Sequence, residues 1–392
     1  MRRIGFDAVR ALRNSTGLGN YARRVLRGLL AAGTGLEGHL FSPAPARPPY
    51  ARLPEELGAS LHLPPAAWRQ PGLSTWWRTF RLGRRAAASG IELYHGLTHE
   101  IPRDLPRTGV PSVLSVADLL WERYPGLYPR VDRRGYQWRY RWSAEHASAV
   151  VALSEQTRND LLELYQVDPA RLWVIPPPGD PRYAVPVPAE QRHEVLNRYG
   201  LPERFLLSVG TWEARKNQRT AIVALAGLEA ERTPPLVLVG RDGGTGAELS
   251  RLAERLAPGR VRFASGVRHA DLPAVMQSAD LFLYPSLSEG FGLPIVEALA
   301  AGVPVIASEG RCFREAGGPA TLYAPATDAI ALAGMIRHVL DDPDLAATMG
   351  TAGRRHAERF DGARLAKQML DLYDAVLSGG GAAQPAIPLE SG

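Results

Sequence analysis

Short apolar runs alternate with longer stretches of helical spacing along almost the whole chain, and this rhythm constrains the fold more than any other feature of the sequence. In the first half the runs fall at 3–6, 39–41, 61–63, 91–94, 112–116, 149–153 and 172–175. In the second half they fall at 205–209, 236–239, 261–264, 281–284, 303–307 and 321–323. Those of the second half are each short, continuous and apolar, as expected for strands buried on both faces. Strands separated by helical stretches, such as 21–31 and 155–165, predict parallel sheets covered on both sides. Ser154 stands before the second of these, where its hydroxyl can accept a backbone N–H as an N-cap.

The rhythm breaks once. Pro176-Pro177-Pro178-Gly179-Asp180-Pro181, followed by Pro186 and Pro188, can continue neither a helix nor a central strand. A chain of 392 residues is long for one domain and comfortable for two. The expected organisation is an α/β protein with two Rossmann-like domains. The first is 1–180 and the linker is 181–189. The second is 190–356, and a final helix at 357–378 is expected to cross back to the first domain. The Gly- and Pro-containing tail at 379–392 is expected to be disordered.

The densest chemistry follows the run at 281–284, in Ser288-Glu289-Gly290-Phe291-Gly292-Leu293-Pro294-Ile295-Val296-Glu297. Gly290 and Gly292 let backbone amides approach a ligand closely. Pro294 suits the first turn of a helix, whose N-terminal end favours a phosphate. Glu289 and Glu297 frame that anion site, and carboxylates there suit hydroxyl partners better than phosphate. A second loop, Gly210-Thr211-Trp212-Glu213-Ala214-Arg215-Lys216-Asn217, opens after another strand. Arg215 offers a fork for two phosphate oxygens and Lys216 a movable point charge.

The two Glu separated by seven residues, with the E-G-F-G-L-P-I-V-E run, resemble the signature of retaining glycosyltransferases of the GT-B fold, family four. The resemblance covers most of the chain. It implies two Rossmann-like domains facing across a cleft and a sugar moved from a nucleotide-sugar with retention of configuration. It also implies that no metal is required. By this resemblance Glu289 meets the donor sugar hydroxyls, the backbone of Gly290, Phe291, Gly292 and Leu293 meets the sugar or phosphate, and Glu297 binds the ribose. Arg215 and Lys216 match the family's diphosphate loop, which Gly210 opens. Gly240, in Val239-Gly240-Arg241-Asp242, matches its glycine turn near the nucleotide. Gly17 and Gly19, in Asn14-Ser15-Thr16-Gly17-Leu18-Gly19, match its N-terminal glycine loop. His95 and His99 lie just past a strand end, where either orients a sugar or is structural. Relatives carry H-D-L where this chain has Ala117-Asp118-Leu119, so either Asp118, His95 or His99 stands in for the missing histidine or the catalytic rate is low. A second departure is Gly362, where relatives have an aromatic residue.

Within that family the chain resembles bacterial mannosyl- and rhamnosyltransferases of surface polysaccharide assembly, which makes GDP-mannose the first donor expectation, with a UDP-sugar as the other. No cofactor is expected. A glycan or lipid-linked acceptor is. Two rivals share the scaffold: a nucleotide-sugar 2-epimerase, and a non-catalytic nucleotide-sugar binder for which Ala117 is the argument.

The net charge of +6 is uneven, with 24 arginines against 16 carboxylates in 1–180. A basic first half suits an anionic partner, either a phospholipid surface or a lipid-linked phosphate; its bland reading is a solvated surface. Trp76-Trp77-Arg78-Thr79-Phe80-Arg81 and 130–142 mix aromatics with arginine and fit two readings, a membrane interface or a helix packed on the core. The dispersed basic residues do not suit nucleic acid. The lone Cys312 excludes an internal disulfide. With no long apolar run and no leader-like start, the expected setting is cytoplasmic, with peripheral contact at the inner membrane face through the basic half.

Overall fold

The computed structural model describes residues 1–31, 33–70, 72–127 and 130–379. The chain divides into two compact units. One is Met1–Pro178 together with the C-terminal helix Gly362–Leu377; the other is Gly179–Asp361.

The first unit carries β1 (Arg2–Asp7), β2 (Leu36–Phe41), β3 (Ser60–His62), β4 (Leu93–Gly96), β5 (Ser112–Val116), β6 (Ala149–Ala152) and β7 (Leu172–Val174). They form one sheet in the order β3-β2-β1-β4-β5-β6-β7. The second unit carries β8 (Leu206–Val209), β9 (Leu236–Val239), β10 (Val261–Ala264), β11 (Leu281–Tyr284), β12 (Val305–Ser308) and β13 (Thr321–Ala324), in the order β10-β9-β8-β11-β12-β13. The ladders are parallel throughout the described strands. The strands lie on the apolar runs, and those inside each sheet are buried on both faces, whereas the edge strands β3 and β10 are largely exposed or half-exposed.

In each unit the chain first builds the sheet one way from its opening strand, then returns and builds the other way. The reversal falls between β1 and β4 in the first unit and between β8 and β11 in the second. Loops leaving neighbouring strands in opposite directions open a crevice at the carboxyl edge, the usual ligand position of such sheets. Helices fill both faces. Tyr94, Leu114 and Val150 centre one core; Leu206, Leu238, Leu283 and Ile306 centre the other. Ser154 caps the helix Glu155–Tyr165 as the sequence suggests, its Oγ accepting from Thr157 N at 3.0 Å.

The C-terminal helix Gly362–Leu377 packs on the helix Gly17–Leu29 and buries Leu365, Met369, Leu372 and Tyr373 in the first unit. A Cβ on Gly28 would lie 3.2 Å from Ala366 Cβ and 3.3 Å from the Gly362 carbonyl, so glycine sets how near the two helices come. Residues 181–189, expected as a linker, are fastened to the second unit. The Gln277 amide donates to Tyr183 O and Val185 O at 3.0 and 2.8 Å and accepts from Val187 N at 2.8 Å. The prolines leave only the short 3₁₀ turn Pro181–Tyr183 before the helix Ala189–Arg198, but do not prevent tethering by a side chain. The tail expected to be disordered lies, from 380 on, outside the described residues. Among the described residues no helix is long and apolar enough to cross a membrane.

Candidate active site

β8 and β11 are sheet neighbours, and both sharp motifs leave their carboxyl ends. From β8 the chain turns through Gly210 into the short 3₁₀ turn Ala214–Lys216 and the helix Gln218–Ala226. From β11 it passes through 285–292 into the helix Leu293–Ala301. Asn217 joins the two loops. Its backbone is left-handed, with φ of 51°. Its side-chain amide donates to Pro285 O at 3.0 Å and Ala326 O at 2.7 Å, and its Oδ1 accepts from Thr220 at 3.0 Å. Leu287 N donates to Arg215 O at 2.9 Å. These bonds hold Arg215 and Lys216 against Glu289.

The three form one largely buried charge cluster, with 20%, 14% and 12% of the Arg215, Lys216 and Glu289 side chains exposed. Lys216 Nζ lies 2.7 Å from Glu289 Oε1 and donates to Tyr284 Oη at 3.1 Å. Arg215 also pairs with Glu289, donates to Ser288 O at 3.0 Å, and lies 2.6 Å from Glu213 Oε1. Burial by itself would raise the Glu289 pKa, but Lys216 and then Arg215 outweigh it and hold the carboxyl down at about 2. Burial opposes the Lys216 charge too, and Glu289 more than restores it. Burial, then the Glu289 charge, pushes the Tyr284 phenol up to about 12. The cluster is therefore fully ionised at neutral pH. The sequence separates a sugar-binding carboxylate from two phosphate-binding cations; folding places all three within bonding distance. Tyr284 and Glu213 escaped the sequence reading. Tyr284 reads there only as the end of an apolar run.

The helix Leu293–Ala301 begins tightly. Gly292 has φ of 137°, which disfavours any side chain, and a Cβ there would crowd Ala316 and Ile295 at 3.2 Å. Ile295 N already donates to Gly292 O at 2.9 Å and Pro294 has no N–H, so an anion would be met by the amides of 290–293. Phe291 turns inward, edge-on to Phe360 at 5.4 Å. Leu293, the first helical residue, is half-buried. Glu297, one turn on, is buried, and its charge reaches Arg182, which is paired with Asp180 at 2.6 Å. A Cβ on Gly240 would overlap the Gly210 carbonyl, so these two glycines let the ends of β9 and β8 approach.

In the first unit the structure revises two readings. Gly17 and Gly19 are not a loop; they open the helix Gly17–Leu29. Gly19 is required by crowding, since a Cβ would overlap the Asn14 carbonyl. Buried Arg23 donates to Ala11 O at 2.9 Å and Asn14 O at 2.7 Å, fixing the turn before that helix. His95 is fully buried in β4. Its Nδ1 lies 2.6 Å from Tyr373 Oη and its Nε2 2.8 Å from Ser115 Oγ, which also accepts from Tyr21 at 2.8 Å. Burial pulls its pKa to about 3. With both nitrogens engaged inside the core, this ring links β4 and β5 to the C-terminal helix.

His99 differs. It is buried with a left-handed φ of 66°, stacks on Tyr140 at 5.0 Å and meets Trp121 edge-on at 5.4 Å. Its Nδ1 has no hydrogen-bond partner among the described residues. Asp118 is half-buried at the exit of β5, where its Oδ1 accepts from Leu120 N at 3.2 Å. Ala117 presents a methyl, and its carbonyl accepts from Thr157 Oγ1 at 3.0 Å. Among the described residues no group of three or more His, Cys, Asp or Glu is placed to hold a metal.

Comparison with known proteins gives two family matches. The model described as glycosyl transferases group 1 matches residues 192–356, and that described as Glycosyltransferase Family 4 matches 15–183. The O-antigen chain mannosyltransferase B of Escherichia coli is 29% identical over 91% of this chain and 96% of its own length. A D-inositol 3-phosphate glycosyltransferase of Salinispora tropica is 33% identical over 58% of this chain, which spans 51% of that relative. Among solved structures, Anabaena Alr3699/HepE in complex with UDP superposes with a TM-score of 0.74 at 20% identity, over 96% of this chain and all of that one. At that identity the likeness concerns the fold.

Proposed function

Starting from a chain that belongs to the GT-B glycosyltransferases, with domains of the group 1 and family 4 type, we propose that it moves mannose from GDP-mannose to a glycan or lipid-linked acceptor with retention of configuration. The observation that carries the site is the largely buried Lys216–Glu289–Arg215 cluster at the reversal point of the second sheet. Its two cations are compensated by carboxylates before any donor arrives. An entering diphosphate would therefore bind by exchange: Lys216 and Arg215 turn to the phosphate oxygens, and Glu289 turns to the sugar hydroxyls. Glu297 takes the ribose hydroxyls.

As the bond from the anomeric carbon to the phosphate oxygen breaks, charge collects on the leaving diphosphate. Fixed cations in a water-poor site stabilise that charge most at the transition state. The departing phosphate oxygen takes the proton of the acceptor hydroxyl, and the new bond forms on the same face of the sugar. On this reading the two side-chain cations do the work and no metal ion enters. The mannosyltransferase name of a relative matched over nearly its whole length supports the sugar. The UDP-bound neighbour supports a UDP-sugar as the other donor.

Thermal stabilisation by GDP, GDP-mannose, UDP and UDP-glucose tests the donor, since a ligand selective for the native state raises the melting temperature. The expected result is a shift with GDP and GDP-mannose that Glu297→Ala removes. A shift with the UDP pair alone replaces the donor; no shift with any of them removes the preformed site. Ala117 favours a second reading, a binder without turnover. Donor binding with no transfer to any of a panel of glycan and lipid-linked acceptors would select it, and donor consumption without acceptor would select the epimerase.

A further inference from the structure

An exchange of Lys216, Arg215 and Glu289 with an entering donor leaves one charged side chain of the cluster unused, that of Glu213. Its backbone is fixed from both sides. Trp212 before it is buried and donates its amide to Arg241 O at 2.8 Å, and the Glu213 carbonyl accepts from Lys216 N at 3.0 Å. Gly243 closes in from the loop after β9, where a Cβ would lie 3.3 Å from Glu213 Cβ. The Glu213 side chain is 35% exposed and meets Arg215 at 2.6 Å.

The two cations are not matched alike. Lys216 has one carboxylate, Glu289, and a phenol, Tyr284 Oη at 3.1 Å. Arg215 has two carboxylates, Glu289 and Glu213. Burial opposes the Arg215 charge, and Glu289 and then Glu213 more than restore it. When Glu289 turns to a sugar, Arg215 keeps a counter-ion that Lys216 lacks. A carboxylate this close to a phosphate-binding guanidinium repels whatever diphosphate the cation holds, and the repulsion grows with the charge of the ligand.

Donor and product differ in that charge. The diphosphate of a nucleotide-sugar is esterified at both ends. As the bond from the anomeric carbon to the phosphate oxygen breaks, its electron pair stays on that oxygen. The acceptor oxygen bonds to the anomeric carbon, and the acceptor proton passes to the departing phosphate. A terminal phosphate gives up that proton to water at about pH 6, so the free nucleoside diphosphate carries one negative charge more than the donor. Two cations without a second counter-ion would therefore hold the product best, and release would limit turnover.

We propose that Glu213 is the counter-ion that weakens the hold on the product more than the hold on the donor, and so speeds release of the nucleoside diphosphate. It acts through Arg215 and touches no reacting atom. This role rests on the donor site proposed in the second unit, and holds for either base and any sugar.

The test is calorimetric titration of the full chain with GDP, GDP-mannose, UDP and UDP-glucose, using wild type, Glu213→Gln, Glu213→Ala and Glu213→Asp. Gln keeps an oxygen for Arg215 and removes the charge; Ala removes both; Asp keeps the charge. In the Gln and Ala variants the diphosphate should gain about threefold more affinity than its sugar ester, the effect of one unit of charge several ångströms away in water. High salt should shrink that difference, and Glu213→Asp should stay near the wild-type ratio. A ratio of product to donor affinity that Glu213→Gln leaves unchanged overturns the proposal, as does a change seen in Glu213→Ala alone, because a side chain that only orients Arg215 would act through its hydrogen bond. A changed ratio that salt does not reduce overturns it too. Wild type that binds none of the four ligands overturns the donor site and this role together, whereas wild type that binds them with an unaltered ratio in the variants overturns this role alone.

Discussion

Lys216 and Glu289 are each more than four-fifths buried, with 14% and 12% of their side chains exposed, so their pairing is not the weakly coupled kind found on surfaces. Removing one partner leaves a buried charge short of compensation, which typically costs about 3–5 kcal/mol. Arg215 still faces Glu289 after Lys216→Met, so the cost should sit at the low end. Glu289→Gln leaves two cations crowded together and should also destabilise. The double variant should be clearly more stable than the sum of the single losses predicts. Urea unfolding of the four proteins measures the coupling; strictly additive losses would mean the two side chains do not meet. In turnover, Lys216→Met should lower kcat by roughly 10²–10³, the usual effect of losing one preorganised charge stabiliser.

At the scale of elements, His95 joins β4 and β5 to the C-terminal helix through Ser115 and Tyr373. Its pKa falls to about 3 on folding, against about 6.5 in an unfolded chain. Between those values the unfolded state binds the extra proton. Stability from this group is therefore complete above about pH 6.5 and is lost as pH falls toward 3, with a slope of ~1.4 kcal/mol per pH unit. His99 behaves alike. Comparing wild type with His95→Asn between pH 7 and 5 isolates one histidine. The variant should show the shallower loss, and equal slopes would place the imidazole outside the core. The same residue shows what the sequence could convey. The strands were legible because burial on both faces writes itself as an apolar run, and so was the β8 and β11 pair of motifs. His95 was not, because its partner Tyr373 lies 278 residues away and a polar residue at a strand end reads equally as site or core. Gly17 and Gly19 looked like a loop for a related reason: glycine signals a need for close approach, and at Gly19 that need is met by the Asn14 carbonyl, while a Cβ on Gly17 would meet open space.

For the whole molecule, the two units differ in how the chain completes them. The second is one continuous stretch, Gly179–Asp361. The first is interrupted and is finished only when the C-terminal helix returns to bury Leu365, Met369, Leu372 and Tyr373. The prolines at 176–181 mark where the first stretch ends, but nothing local in the sequence says which sheet the last helix joins; that is settled by the fit of its apolar face against the helix Gly17–Leu29. Deleting residues from 362 onward should therefore act selectively. It uncovers the face of Gly17–Leu29 and leaves His95 Nδ1 without its phenol, losses of several kcal/mol by ordinary core-truncation measures. Hydrogen exchange by mass spectrometry should show faster exchange in Gly17–Leu29, β4 and β5. Amides of β8 and β11 should keep their protection, and GDP should still protect the loops that follow them. If exchange rises equally in both units, the helix stabilises the molecule in some way other than completing the first core.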